Sequence, residues 1–477
     1  MQSCTKVRGY GLRFKSPDNR STPHGRATGS DSLGPRSASI AFYLLAVSLG
    51  TVSWVNIRQT DVLIVLLLLF RIRSAVSHAL SLTISEKLYL LLLCIMAAWS
   101  LNPSGYEIRE QLIASLYFIR GALVYLVLRT WITNYQDLCY FLRTCAKVAA
   151  VIVGFGILEL VLKYTIGYSP RTFYGSASGT ARFTGLAGNP NYFAHWLVIL
   201  LGCTLMFPSM TCPDGGKRGH MMTVLFLLIC GCVLTMSRGA WVASGVSYTA
   251  FLLKVLYSLV KTGRVHRSAL TVLIFTTVGL LLSIVFITSD KYAMTRVNDA
   301  LHGTGAHRYE AWELSLEAYS DFSPMCKIFG VGGQQHVYYV PFTYWPHNNY
   351  ILWLMEYGVA GLIVFGLLLW IVVTARPRTS MGPPMLAFGL LGALTFAVSN
   401  DTLITTHFWV IVGLLLLESV IARAEPSPVP VALSSVTRSI PTSPAMLRPH
   451  LVCLFGRLRQ SSRGPTIPVK PEDIGWL

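Results

Sequence analysis

The sequence predicts an all-α polytopic membrane protein of about 12 transmembrane helices, with a large outer loop between the ninth and tenth spans. Three observations predict it. The 477 residues are 53% hydrophobic and only 13% charged, with a mean hydropathy of +0.53, whereas a soluble chain carries about 25% charge. Several apolar runs approach or exceed the ~20 residues that cross a bilayer. Finally, Lys and Arg concentrate in alternate connections, which fixes one orientation.

Taken in order, residues 1–38 are rich in Ser, Gly and Arg and lack the apolar core of a signal peptide. They read as a disordered basic tail on the cytoplasmic side. Twelve spans follow, at about 39–55, 61–70, 88–101, 112–131, 140–165, 191–208, 221–236, 240–260, 268–288, 348–374, 383–400 and 405–423. The second is short. Keeping it places Arg71, Arg73, Lys87, Arg129, Arg143, Lys217, Arg218, Lys261, Arg264, Arg267, Arg376 and Arg378 on the inside, whereas dropping it inverts everything beyond. Residues 424–477 form a second disordered cytoplasmic tail, rich in Pro, Ser and Arg. Residues 39–423 are thus the membrane domain, including the outer loop 289–347.

The net charge of +18 would point to nucleic acid in a soluble protein. Here cytoplasmic loops and tails account for it, so no nucleic-acid partner is expected, only membrane lipids. Of ten cysteines, Cys326 alone is expected outside, too few for a disulfide framework. No Walker loop, GxGxxG, HExxH or DxD occurs. The outer His302, His307, His336 and His347 match no compact metal spacing. No metal and no cofactor is expected, nor energy input from ATP.

The outer face nevertheless carries basic residues that sidedness does not explain: Arg171, Arg182, Arg238, Lys291, Arg296, Arg308 and Lys327. In "TMSRGAW", Arg238 stands at the outer interface, and Gly239 is expected to permit the turn into the next span. The plain alternative is a snorkelling arginine. In "RYEAWELSLEAY", helical spacing puts Glu310, Glu313 and Glu317 on a solvated face. Trp312, Leu316 and Tyr319 form an apolar face, with Arg308 on the same stripe. In "ARFTGLAGNPNYFAHW", Arg182 precedes a glycine-rich turn, and Asn189-Pro190-Asn191 opens the sixth span, with His195 one turn inside.

"YWPHNNYILWLMEYGVAGL", from Tyr344 to Leu362, starts the tenth span. Pro346 suits a helix start and an asparagine its cap. His347 then sits at a helix N-terminus, whose partial positive charge disfavours imidazolium and attracts anions. A neutral imidazole can accept a proton. Glu356, nine residues on, is about half a turn out of phase with His347 and shares a face with Asn349 and Trp353. It is expected to serve the bundle interior, with Arg120 of the fourth span as candidate partner.

Several arginines, two outward helix starts and one histidine suit a lipid-anchored diphosphate, because guanidinium forks match phosphate oxygens. Arg182 with "GNPNYFA", "SRGAW", "RYEAW", "GVGG" (330–333) and "HNNYI…EYGVAG" (347–361) occur in an order that resembles the O-antigen ligase and O-antigen polymerase superfamily. One departure is Ile351, where the family pattern has leucine, and the long tails are not family features. The resemblance covers roughly residues 40–423 and most closely indicates a bacterial O-antigen ligase. It implies a metal-independent, inverting glycosyltransferase of the inner membrane in lipopolysaccharide biosynthesis. The enzyme would join an undecaprenyl-diphosphate-linked glycan to lipid A-core at the periplasmic face. It implies His347 as catalytic base and Arg308 and Arg238 as the diphosphate-stabilising residues. Arg182, Asn348, Asn189 and Asn191 are the substrate-binding candidates. The nearest rival is a polymerase using the same donor. A twelve-span transporter is the rival of another class, but its internal repeat is not seen.

Overall fold

The computed structural model describes residues 59–70, 76–77, 81–101, 107–167, 174–177, 180–185, 187–206, 218–263, 267–289, parts of 291–298, 308–340, 345–375, 386–400 and 405–424. The expected first span, both tails, and Arg171 and Arg296 lie outside them. Each of the second to twelfth expected spans falls on a described helix. These are α1 (Gln59–Phe70), α2 (Ile84–Ser100), α3 (Ile108–Trp131), α4 (Tyr135–Ile166), α5 (Pro190–Thr204), α6 (Arg218–Leu234), α7 (Arg238–Thr262), α8 (Arg267–Ser289), α11 (Asn349–Thr374), α12 (Ala387–Ala397) and α13 (Thr406–Ala424). Six of them, α3, α4, α7, α8, α11 and α13, are long and apolar enough to cross a membrane. The connection between α8 and α11 holds α9 (Arg308–Ser320), α10 (Pro324–Phe329) and a 3-10 turn at Gln335–Tyr338. The chain is a multi-pass helical membrane protein.

Local chemistry sets the helix ends. Thr83 and Glu86 close a reciprocal capping box at the start of α2. Asn134 caps α4, which ends on left-handed Gly167. α13 is buried on nearly every side, as an apolar-all-round helix at the centre of a bundle should be. Trp409 packs edge-on to Phe118 at 5.9 Å. Gly121 makes room for it, since a Cβ there would lie 2.8 Å from the indole. At the opposite end, the buried Glu86 carboxylate accepts from Tyr125 and pairs with Arg129 at 2.9 Å.

Two features depart from the sequence reading. A two-stranded hairpin, β1 (Tyr174–Ala177) with β2 (Thr180–Phe183), stands between α4 and α5 in an otherwise helical chain. Phe183 anchors it, packing edge-on to Phe193 at 5.3 Å and lying over Gly156. The tenth span is also not continuous. Gly358 within α11 takes φ 65° and ψ −171°. Val331 N–H and Gly332 N–H donate to the carbonyls of Met355 (3.0 Å) and Glu356 (2.9 Å) across the break. The "GVGG" segment therefore docks by backbone bonds into an interrupted helix, replacing partners that the interruption removes.

Candidate functional site

The end of the bundle that sidedness assigns to the outside gathers the four motifs. β2 carries Arg182, which is only 7% exposed. Its guanidinium donates to the carbonyls of Thr235 (3.1 Å) and Met236 (3.4 Å) and to Asn191 Oδ1 (3.3 Å). It thus ties the hairpin to the first turn of α5 and to the connection that precedes Arg238. Asn189 caps α5 through the Asn191 N–H at 2.8 Å. Both asparagine carbonyls are therefore engaged in holding the site's frame.

Ser237 is the N-cap of α7, and half-buried Arg238 is its first residue. The turn expected at Gly239 lies earlier. Met236 adopts φ 49°, whereas Gly239 is helical. Gly239 is required for a different reason: a Cβ would overlap Ser399 Oγ and come 2.6 Å from Asn400 Nδ2. The Asn400 carbonyl in turn accepts from the Asn349 side chain, two residues beyond His347.

His347 is exposed and holds φ 46°. A β-carbon-bearing residue in the left-handed region is strained by about 1–3 kcal/mol, and such strain concentrates at functional sites. Asn348 caps α11, accepting from the N–H groups of Tyr350 (3.0 Å) and Ile351 (3.3 Å). Half-buried Arg308 opens α9. One turn later, Trp312 Nε1 donates to the carbonyl of Pro346 at 2.6 Å, fastening α9 to the residue before His347. Glu310, Glu313 and Glu317 are solvated, as expected. The packed face of α9, however, centres on Ala311 and Ser315, and Leu316 is 46% exposed.

Contacts within a few residues of each candidate thus run from Arg182 through the Arg238 turn and Asn400 to His347 and the Arg308 helix. Three described non-glycine residues have positive φ, namely Met236, Gln334 and His347. Each lies in or beside a motif singled out in the sequence.

Beneath Arg238, an apolar cavity of about 240 Å³ opens between α5, α6, α7 and α8. Leu201, Leu205, Ile229, Trp241, Tyr248 and Ile287 line it.

Sequence reasoning missed two residues. Asn400 links α7 to α11, and its only signal was a polar Ser-Asn-Asp run at an outer span end. His336 is the partner of Glu356, in place of the expected Arg120: Nδ1 lies 2.6 Å from Oε1. His195 is wholly buried, with Nδ1 3.3 Å from Thr405 Oγ1 and its ring stacked on Phe396 at 5.3 Å. At the loop surface, desolvation and then the neighbouring Glu107 push the Tyr338 phenol above its ordinary value.

The fold defines a multi-pass membrane protein, and this cluster is a polar, arginine-bearing candidate site at one end of its bundle. Residues 223–366 match the family described as O-antigen ligase, so this stretch is similar to the O-antigen ligase superfamily. The match begins inside α6 and ends inside α11. It includes Arg238, Arg308 and His347 and leaves Arg182, Asn189 and Asn191 upstream. No curated protein matches the chain.

Proposed function

We propose that the protein is an O-antigen ligase of the bacterial inner membrane, with its site facing the periplasm. It transfers glycan from undecaprenyl diphosphate to a lipid A-core hydroxyl. One observation carries the reading most. His347 is held in a strained conformation at the start of α11, fastened on one side to the Arg308 helix and on the other, through Asn400, to the Arg238 helix.

In this mechanism the acceptor oxygen attacks the anomeric carbon as the bond to the diphosphate breaks. His347 takes the hydroxyl proton, a contribution of typically ~10²–10⁴-fold. The bonding electron pair leaves with undecaprenyl diphosphate. Arg238 and Arg308 match the departing charge with guanidinium forks, without needing a metal. Direct attack inverts the anomeric configuration. The cavity below Arg238 suits part of a polyprenyl tail while the headgroup lies at the interface. Arg182, Asn189, Asn191 and Asn348 support substrate binding by fixing the frame around it.

A lipopolysaccharide gel tests the assignment. Cells carrying His347→Ala should show bare lipid A-core while lipid-linked polymer accumulates. Core capped with a single repeat unit would instead identify a polymerase. Normal ladders with folded His347→Ala protein would remove the base assignment.

A further inference from the structure

The His336–Glu356 pair stands outside the mechanism above. His336 is 2% exposed, on the outer loop, and Glu356 lies two turns into α11. Glu356 Oε1 takes His336 Nδ1 at 2.6 Å. With the carboxylate as acceptor, a neutral His336 ring carries its hydrogen on Nδ1 and a lone pair on Nε2. That Nε2 has no hydrogen-bond partner among the described residues. A buried nitrogen left this way is costly and calls for an explanation.

The surroundings supply one. His336 lines a cavity of about 30 Å³ with Tyr117, Gln334, Trp345, Asn349 and Trp353. That volume admits a water or a single hydroxyl. Aromatic walls with a few directed polar groups suit a sugar, whose C–H faces pack on rings while its hydroxyls seek specific partners. The Trp345 ring stands edge-on to His336 at 4.4 Å. Gln334, held at φ 58°, donates to Tyr117 Oη at 3.1 Å. Asn349 belongs both to this cavity and to the helix start beside His347, so a group seated here is next to the proposed base.

The pair is also rigidly placed. The Gly358 break and the bonds from Val331 and Gly332 fix the Glu356 backbone. The Gln335 amide donates to Glu107 O at 3.3 Å, and Glu107 N–H returns a bond to Gln335 Oε1 at 3.4 Å. The residue before His336 is thereby tied to the outer end of α3.

We propose that His336, oriented by Glu356, forms an acceptor-sugar subsite in which Nε2 accepts a hydrogen bond from a hydroxyl of the incoming saccharide. This rests on the glycosyl-transfer reading of the same face. His336 here binds and positions; His347 remains the proton acceptor for the reaction.

The test is steady-state transfer by purified full-length protein, with lipid A-core as acceptor and a lipid-linked glycan as donor. His336→Phe keeps an aromatic ring against Trp345 and deletes Nε2. It should raise the acceptor KM about tenfold, as for one lost hydrogen bond, with donor KM and kcat little changed. Glu356→Gln should shift the acceptor KM in the same direction by less. It carries the test if His336→Phe does not purify as a folded protein. Unchanged acceptor KM in a folded variant overturns the subsite and leaves the pair a structural contact. A collapse of kcat at constant KM also overturns it, making His336 the base. His347→Ala, run alongside, separates the two proposals. Retained turnover there defeats the base assignment alone, while an acceptor-KM effect at His336 stands or falls by itself.

Discussion

Trp312 Nε1 donates to the Pro346 carbonyl across 2.6 Å. This single bond joins the helix that begins with Arg308 to the residue that sets His347. Deleting the donor by Trp312→Phe keeps most of the packed ring, including the edge contact with Tyr309. Transfer should fall about tenfold, because small displacements of reacting groups are costly. The midpoint of thermal unfolding should hardly move. Equal activity in wild type and Trp312→Phe would show that α9 does not position the site.

Arg182 presents a different balance. Three bonds from a nearly buried guanidinium hold β2, α5 and the turn before Arg238. Lysine cannot reproduce this forked geometry. Arg182→Lys should therefore lower stability by about 1–3 kcal/mol for the groups left unpaired, and Asn191→Ala should lower it in the same direction. Thermal unfolding in detergent measures both. A variant that loses transfer at unchanged stability would place Arg182 on the substrate instead.

For Arg308 and Arg238 the expected signature is kinetic. Substitution by Lys keeps the charge and removes the bidentate fork, so transfer should drop at least about tenfold with stability preserved. Full activity in the Lys variants would reduce both residues to charge steering. Chelator added to the wild type should leave its rate unchanged; inhibition reversed by a divalent cation would overturn the metal-free mechanism.

Much of this was legible in the chain. The helix starts at Asn189-Pro190-Asn191 and after Pro346, the solvated glutamates of α9 and the buried face of Asn349, Trp353 and Glu356 follow from local residue chemistry and helical period. What failed depended on distant partners. Gly239 reads as a turn residue until Asn400, 161 positions later in the numbering, is seen against it. Leu316 reads as part of an apolar face, but the surface offered to α9 accommodates only Ala311 and Ser315 closely. Glu356 reads as a contact within the bundle because nothing local shows that the outer loop returns to meet it. The hairpin was missed because "YGSASGTARF" lacks a strong strand pattern and is stabilised by the burial of Phe183.

The helix break is the sharpest case, since "EYGVAG" sits in an apolar run that looks continuous. A Cβ at Gly330, where φ is 78°, would overlap the carbonyl of Glu356; one at Gly358, where φ is 65°, would overlap that of Ile328. Each obstacle is backbone, which no side-chain rotamer can relieve. Gly330→Ala and Gly358→Ala should each cost about 3 kcal/mol or more, combining strain with lost docking of the loop. Gly366 lies in the same helix, and a Cβ there would meet nothing within 4 Å. Gly366→Ala should be neutral or slightly stabilising, because alanine favours the helix. Unfolding midpoints of the three proteins decide the matter. Similar midpoints would mean that the "GVGG" segment is not held in the break, and that Glu356 and His336 are not fixed against each other.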